Sequence, residues 1–281
     1  MQNKKIKICH IAHKLTGKSD GVFTHLKMLF ELLDKNKFEQ ILMYSGNEPI
    51  IDAYARSVGV KVYNISELNK KLPIKLFFKI FRILKEENVD IIHTHLVKPY
   101  IFAGLINIKL RKKLIFNYHG VFIFSDFYNL LEKLFLTLLH KIILSRRAVN
   151  LWVFPSRLLR DKLINNYGYR GSTRVYYNGY PMHKSTSDYN FSKLVDEIKK
   201  IRFGYFLVGI IGRVDTHKRI DIALKVLKNL VQNKLNVFFA IIGDGDKIEE
   251  MKEETKILNI SERVKFFGYV PDIKNSQIEF S

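Results

Sequence analysis

Short runs of almost continuous apolar residues alternate along the chain with longer stretches in which apolar positions recur every three or four residues. The first kind suits strands buried on both faces of a parallel sheet, the second amphipathic helices packed against it. Strands are predicted at 6–11, 39–44, 60–63, 91–93, 114–118, 151–154 and 174–177, with helices near 24–33, 50–57, 74–86, 99–110, 127–145 and 156–166. That order is the βαβ signature of an open, mostly parallel sheet, whose ligands collect beyond the carboxyl ends of the strands.

The rhythm stops in a polar stretch, 179–202, where His183, Lys184, Ser185, Thr186, Ser187 and Asp188 follow one another. This reads as a connection between domains, with a short helix near 193–200. Strands then resume at 205–211, 236–242 and 263–267, with helices at 218–232 and 247–258. The predicted fold class is α/β with two Rossmann-like domains: residues 1–180, a linker at 181–204, and residues 205–281. Three strands fall short of the five or six of a doubly wound half, so the second domain is expected to be incomplete, with an exposed strand edge and exposed apolar helix faces.

One stretch of the second domain carries chemistry. Leu207, Val208, Ile210 and Ile211 form a buried strand that ends in Gly212 and Arg213, and a helix begins near 217–220. Arg213 and Lys218 flank the start of that helix, where free N–H groups and the helix dipole favour an anion. The same spacing also fits an ordinary strand-to-helix connection with two solvated cations.

Composition narrows the partners. The formal charge is +20, from 47 Lys and Arg against 27 Asp and Glu, which suits a polyanion: nucleic acid, an anionic membrane surface or a phosphate-bearing substrate. No arginine-rich tract supports nucleic acid. Two aromatic-basic stretches, 72–85 and 127–147, favour a membrane surface, although both also fit crossover helices packed on a sheet with their lysines in water. Glu132, Lys133, His140 and Lys141 interrupt the second, so it is not expected to span a bilayer. Cys9 is the single cysteine and agrees with a reducing cytoplasm, and no Cys/His spacing reads as a metal site.

Several short strings, in order, resemble the landmarks of glycosyltransferase family 4, nucleotide-sugar-dependent enzymes of GT-B architecture. They are Asp20-Gly21-Val22-Phe23-Thr24-His25, Asp90-Ile91-Ile92-His93-Thr94-His95, Asn117-Tyr118-His119-Gly120, Phe154-Pro155-Ser156 and Val175-Tyr176-Tyr177-Asn178-Gly179, followed by Gly212-Arg213, Lys218-Arg219-Ile220-Asp221, Gly243-Asp244-Gly245 and Val264-Lys265-Phe266-Phe267-Gly268. The resemblance implies a retaining sugar transferase that needs no metal or other cofactor, its nucleotide-sugar donor being a substrate. It implies that Arg213 and Lys218 bind the donor diphosphate, that Gly21 gives the first-domain backbone access to it, and that His119 is the catalytic histidine near the reacting sugar. His95, Asn178, Gly243, Gly245 and Gly268 are further donor or cleft candidates. On a strand, His93 and His95 face one side and Thr94 the other.

The implied acceptor is a lipid-linked molecule or polysaccharide of cell-surface glycan biosynthesis, handled by a cytoplasmic protein peripheral to the inner face of the membrane. The family continues beyond the Val264–Gly268 strand with a Glu-x7-Glu motif that this sequence lacks. The second expectation is therefore a truncated, catalytically impaired remnant that binds nucleotide, membrane or a partner chain.

Overall fold

The computed structural model describes residues 4–15, 21–46, 48–65, 74–119, 129–167, 169, 171–177, 179, 189–202 and 204–270. The chain divides into two compact units, Met1–Gly179 and Tyr180–Ser281. In the first, the elements run β1 (Ile6–Ala12), α1 (Gly21–Leu32), β2 (Phe38–Tyr44), α2 (Pro49–Ser57), β3 (Lys61–Asn64), α3 (Ile74–Glu86), β4 (Ile91–His95), α4 (Val97–Leu110), β5 (Lys113–Asn117), α5 (Leu130–Ser145), β6 (Leu151–Phe154), α6 (Arg157–Tyr167) and β7 (Thr173–Val175). The seven strands form one sheet in the order β3-β2-β1-β4-β5-β6-β7, and every pair is parallel. The chain therefore builds from β1 to one edge and then returns to β4 to build the other. The seam between β1 and β4 is the switch point at which a doubly wound sheet opens a crevice.

Alternation along the strands assigns the two faces. Cys9, Ile11, Ile41, Met43 and Ile92 face α3 and α4, in a cluster with Ile80, Leu84, Ala103 and Ile106. Ala12, Leu42 and Tyr44 face the other way, against Leu26 and Phe30 of α1 and Ile51 and Ala55 of α2. Toward β5 and β6 the core is aromatic, with Tyr100, Phe116 and Trp152 fully buried together.

The two aromatic-basic helices have different fates. In α3, Leu76, Ile80, Ile83 and Leu84 are buried, the packed arrangement, and among its described side chains Phe78 is the one strongly exposed apolar residue. In α5, only His140 and Ile143 are buried. Ile143 lies so close to Gly104 of α4 that a Cβ there would stand 2.8 Å from its Cδ1, and His140 meets Tyr100 through Nδ1 and the hydroxyl at 2.7 Å. Leu130, Leu131, Leu134, Phe135, Leu138 and Ile142 form an outward ridge instead.

The second unit contains α7 (Tyr189–Arg202), β8 (Phe206–Ile211), α8 (Ile220–Gln232), β9 (Val237–Ile242), α9 (Ile248–Ile257) and β10 (Val264–Gly268). Its described strands form a parallel sheet in the order β10-β9-β8. All six residues of β9 are buried, as a central strand covered on both faces must be. Leu224 and Leu227 of α8 and Met251 of α9 cover one face. Leu194 and Ile198 of α7 pack with Leu207, Ile242 and Phe267 on the other. Much of the segment read as a linker is thus a helix that completes this core, because apolar residues four apart on α7 find a sheet to bury against. Among the described strands β8 lies at one edge of the sheet, where Phe206 and Ile211 are exposed, and α8 exposes Ile222 and Val226.

Candidate functional site

The switch point of the first sheet is occupied by imidazoles. His10 of β1 and His93 of β4 are register partners, and His95 follows on the same face of β4. That face looks toward α1, where the His10 ring meets Phe30 edge-on at 5.6 Å. His25 of α1 and His119, two residues beyond β5, complete the group. Ring centroids lie 5.1 Å apart for His10 and His93, 4.3 Å for His93 and His95, 5.3 Å for His95 and His119 and 5.5 Å for His25 and His119.

Hydrogen bonds hold the rings in place. His10 Nε2 meets Gln40 Oε1 at 3.2 Å, while the Gln40 amide nitrogen donates to the Phe30 carbonyl at 3.4 Å. Asn117 Nδ2 donates to His25 Nε2 at 2.9 Å. His93 Nδ1 lies 3.2 Å from His10 Nδ1, and His95 Nδ1 lies 3.0 Å from His119 Nε2. Among the described residues, His25 Nδ1 and His95 Nε2 are buried without a hydrogen-bond partner. Both strands leave this crevice through backbone that L residues rarely adopt, at Lys14 (φ +53°) after β1 and at Leu96 (φ +72°) after β4. Such local strain concentrates at sites where the surrounding structure fixes it for a purpose.

Burial keeps the cluster neutral. Desolvation pushes His10 and His119 down to about 4, and desolvation with mutual repulsion holds His93 and His95 well below the usual histidine range. At pH 7 these rings are acceptors and donors without net charge. As pH falls below about 6.5 the unfolded chain takes up protons that the folded chain refuses until about 4. Stability from these rings is therefore complete above about pH 6.5 and is lost progressively below it, by roughly 3 kcal/mol for each of His10 and His119 across the whole window. Thermal unfolding at pH 7.5 and pH 5 should show Tm falling by roughly 10 °C; a flat profile would refute the neutral cluster.

In the second unit, Gly212, Arg213 and Lys218 meet at the turn after β8. The Lys218 side chain folds back over Gly212, so that its Cε would stand 3.4 Å from a Cβ on that residue. Arg213 is mostly exposed but is held by Asp215, with Nε donating to Oδ2 at 2.7 Å and the guanidinium ion-paired at 2.5 Å. Asp215 Oδ1 accepts from the backbone N–H groups of His217 (3.0 Å) and Lys218 (3.1 Å). Burial alone would raise the Asp215 pKa, yet the Arg213 guanidinium and these N–H groups hold it below the usual carboxylate range. Two of the N–H groups expected to await an anion before α8 are thus already bound to an internal one. Asp221 adds a second carboxylate in the first turn, paired with Arg219.

The glycines of the next turn have a backbone reason. A Cβ on Gly243 (φ +143°) would overlap the Gly212 carbonyl, and one on Gly245 would overlap the Val214 carbonyl. The turns after β8 and β9 are laced together by Val214 N–H to Asp244 O (3.0 Å) and Lys247 N–H to Val214 O (3.1 Å), and Gly243 N–H reaches Gly268 O at 2.8 Å. Gly243, Gly245 and Gly268 therefore shape and support the Arg213 turn. Gly21 opens α1, with nothing among the described residues within 4 Å of where its Cβ would be. Asn178 lies outside the described residues.

Sequence reasoning placed His93, His95 and His119 near a site but missed His10, His25 and Asn117 beside them, and missed Asp215 as the partner of Arg213. Asp215, two residues from Arg213, was open to local inspection. His10 and His25 come from β1 and α1 and join the others only through the order of strands in the sheet.

Residues 19–184 match Glycosyltransferase Family 4 and residues 193–277 match Glycosyl transferases group 1. The chain is 24% identical over 282 residues to the UDP-Gal:alpha-D-GlcNAc-diphosphoundecaprenol alpha-1,3-galactosyltransferase of Escherichia coli, covering 97% of this chain and 71% of that protein. It is 21% identical to the alpha-monoglucosyldiacylglycerol synthase of Streptococcus pneumoniae (strain ATCC BAA-255 / R6), covering 89% of this chain and 58% of that one. Among solved structures, Anabaena Alr3699/HepE in complex with UDP superposes with a TM-score of 0.70 at 19% identity, covering 96% of this chain and 71% of that one. A glycosyltransferase from Rickettsia africae reaches 0.74 at 17%, covering 96% and 70%. These likenesses give the second unit as well as the first the GT-B type of α/β fold. The first match alone spans more than half of the sequence, and the chain belongs to glycosyltransferase family 4.

Proposed function

We propose that this protein transfers a sugar from a nucleoside-diphosphate sugar to a lipid-linked acceptor at the inner face of a membrane, in the assembly of a cell-surface glycan, with retention of anomeric configuration. The observation that carries this reading is the cluster of neutral imidazoles at the switch point, where a parallel sheet gathers its ligands. His119, uncharged and supported by His95, hydrogen-bonds a hydroxyl of the donor sugar. Arg213 and Lys218 stabilise the charge that grows on the diphosphate as its bond to the anomeric carbon breaks. The acceptor hydroxyl attacks that carbon from the face the diphosphate leaves, and the departing phosphate oxygen takes the hydroxyl proton. No second carboxylate is required, in contrast to the paired acids of glycoside hydrolysis.

Support for the acceptor class comes from the named relatives, one acting on a diphosphoundecaprenol-linked sugar and the other a glucosyldiacylglycerol synthase. HepE in complex with UDP favours a uridine nucleotide. In this chain Lys98, half-buried at the start of α4, has its pKa lowered by desolvation and by Lys14, placing two cations near the end of β4 for an acceptor phosphate.

The ridge on α5 supports the membrane setting. No helix among the described residues is long and apolar enough to cross a bilayer. Leu131 and Leu134 are 77% and 60% exposed, with Lys141, Arg146 and Arg147 exposed toward the helix end, a combination that inserts shallowly beside anionic headgroups. Vesicles rich in phosphatidylglycerol should retain the protein, and L131E together with L134E should weaken retention at least tenfold without altering the melting curve. Equal retention by wild type and variant would contradict this role for α5.

Transfer is tested by incubating the protein with a panel of nucleotide sugars and vesicles carrying polyprenyl-diphosphate or diacylglycerol glycolipids. Mass spectrometry should find one acceptor heavier by a single hexose or N-acetylhexosamine. Nucleotide binding with no product from any pair would favour the impaired remnant, and neither binding nor product would remove the reading altogether.

A further inference from the structure

Three imidazoles of the first unit have the geometry of an ion cage. One ring nitrogen from each of His10, His93 and His95 lies within 4.8 Å of the other two. We propose that His10, His93 and His95 form a binding site for a divalent transition-metal ion of the zinc class at the floor of the switch-point crevice.

The hydrogen bonds already orient the rings for such an ion. Gln40 presents its carbonyl oxygen to His10 Nε2, because its amide nitrogen is committed to the Phe30 carbonyl. The His10 proton therefore sits on Nε2 and its lone pair on Nδ1, which is the arrangement an outer carbonyl imposes on a metal-ligating histidine. His93 Nδ1 faces that lone pair at 3.2 Å. Two imidazole nitrogens bound at about 2.0 Å to a tetrahedral ion stand about 3.3 Å apart, so the pair already has the spacing of one edge of the polyhedron. His95 engages His119 through Nδ1, which leaves Nε2, buried and unpartnered among the described residues, as its ligand atom. His119 would then support a ligand from outside the coordination shell.

The donor set selects the ion. Three neutral nitrogens without a carboxylate suit Zn2+, Co2+, Ni2+ or Cu2+ and do not suit Mg2+ or Ca2+, which prefer oxygen ligands. Three protein ligands also leave a fourth position open, as in zinc sites that bind an exogenous group. No local spacing signals this site, because the ligands come from β1 and β4, with His10 and His93 83 positions apart.

Cobalt titration of tag-free, chelator-treated protein tests the site. The expected result is one Co2+ per chain with a visible d–d band of tetrahedral intensity, displaced by Zn2+ and untouched by excess Mg2+. H93Q should weaken Co2+ binding at least tenfold, and Q40A should weaken it about tenfold by releasing the His10 ring. H217Q, on an exposed histidine of the other unit, should leave it unchanged, and circular dichroism should show each variant folded. No band at one equivalent overturns the proposal, as does equal affinity in H93Q and H217Q. Nucleoside-diphosphate binding, measured in the same samples, should be independent of Co2+, so that loss of the metal site and loss of the transferase reading are separate results.

Discussion

Replacing Arg213 with alanine should weaken binding of a nucleoside diphosphate by about 100-fold, measured by calorimetric titration with UDP and with other nucleotides. A charge-assisted hydrogen bond to an anion is worth roughly 1.5–3 kcal/mol, or about 10- to 100-fold in affinity. The upper end applies here because of Asp215. Its carboxylate is nearly buried and is neutralised mainly by Arg213, so R213A removes a cation and leaves an uncompensated anion beside the phosphates. Lys218 has no such dependent, and K218A should cost only about tenfold. The double variant R213A/D215N should recover part of the loss, since asparagine keeps a side-chain oxygen for the N–H groups of His217 and Lys218 while removing the charge. Equal losses in R213A and K218A, with no recovery in the double variant, would show that Asp215 does not set the charge of this turn.

Gly243→Ala should unfold or severely loosen the second unit. The added methyl group would occupy the space of the Gly212 carbonyl, in a backbone conformation that side chains disfavour. Backbone on both sides leaves little room to relax, and the turn that would have to move carries Arg213. We expect a loss of about 3–5 kcal/mol, visible as early unfolding of the second unit in denaturant and as loss of nucleotide affinity. The first unit should retain its own transition, because its core clusters contain none of these residues. A stable G243A protein with normal affinity would mean that the turns after β8 and β9 do not depend on each other.

Much of this architecture is legible in the sequence because parallel strands buried on both faces read as plain apolar runs; β6 and α3 coincide with their predicted bounds. Helix starts are less legible. α4 begins at Val97, ahead of Pro99, because proline in a first turn lacks only an N–H that has no helical partner there. α5 begins at Leu130, where Asn129 and Glu132 cap one another, a signal the sequence carried in its Asn-x-x-Glu spacing. β4 runs on through His95 despite its polar end, since its neighbours supply the ladder and the histidines supply one another with partners. Motif strings found His93, His95 and His119 but could not say that they touch, or that His10 and His25 join them. Proximity of that kind is decided by the order β1-β4-β5 in the sheet, which no local pattern encodes.

The most direct test of the central claim follows donor and acceptor together. With the right nucleotide sugar and a lipid-linked acceptor, the wild-type protein should release one nucleoside diphosphate for each sugar gained by the acceptor, and proton NMR of the product should show the anomeric configuration of the donor retained. R213A/K218A should abolish both signals in step. Nucleotide release without glycosylated acceptor, an inverted product, or undiminished transfer by the double variant would contradict the account.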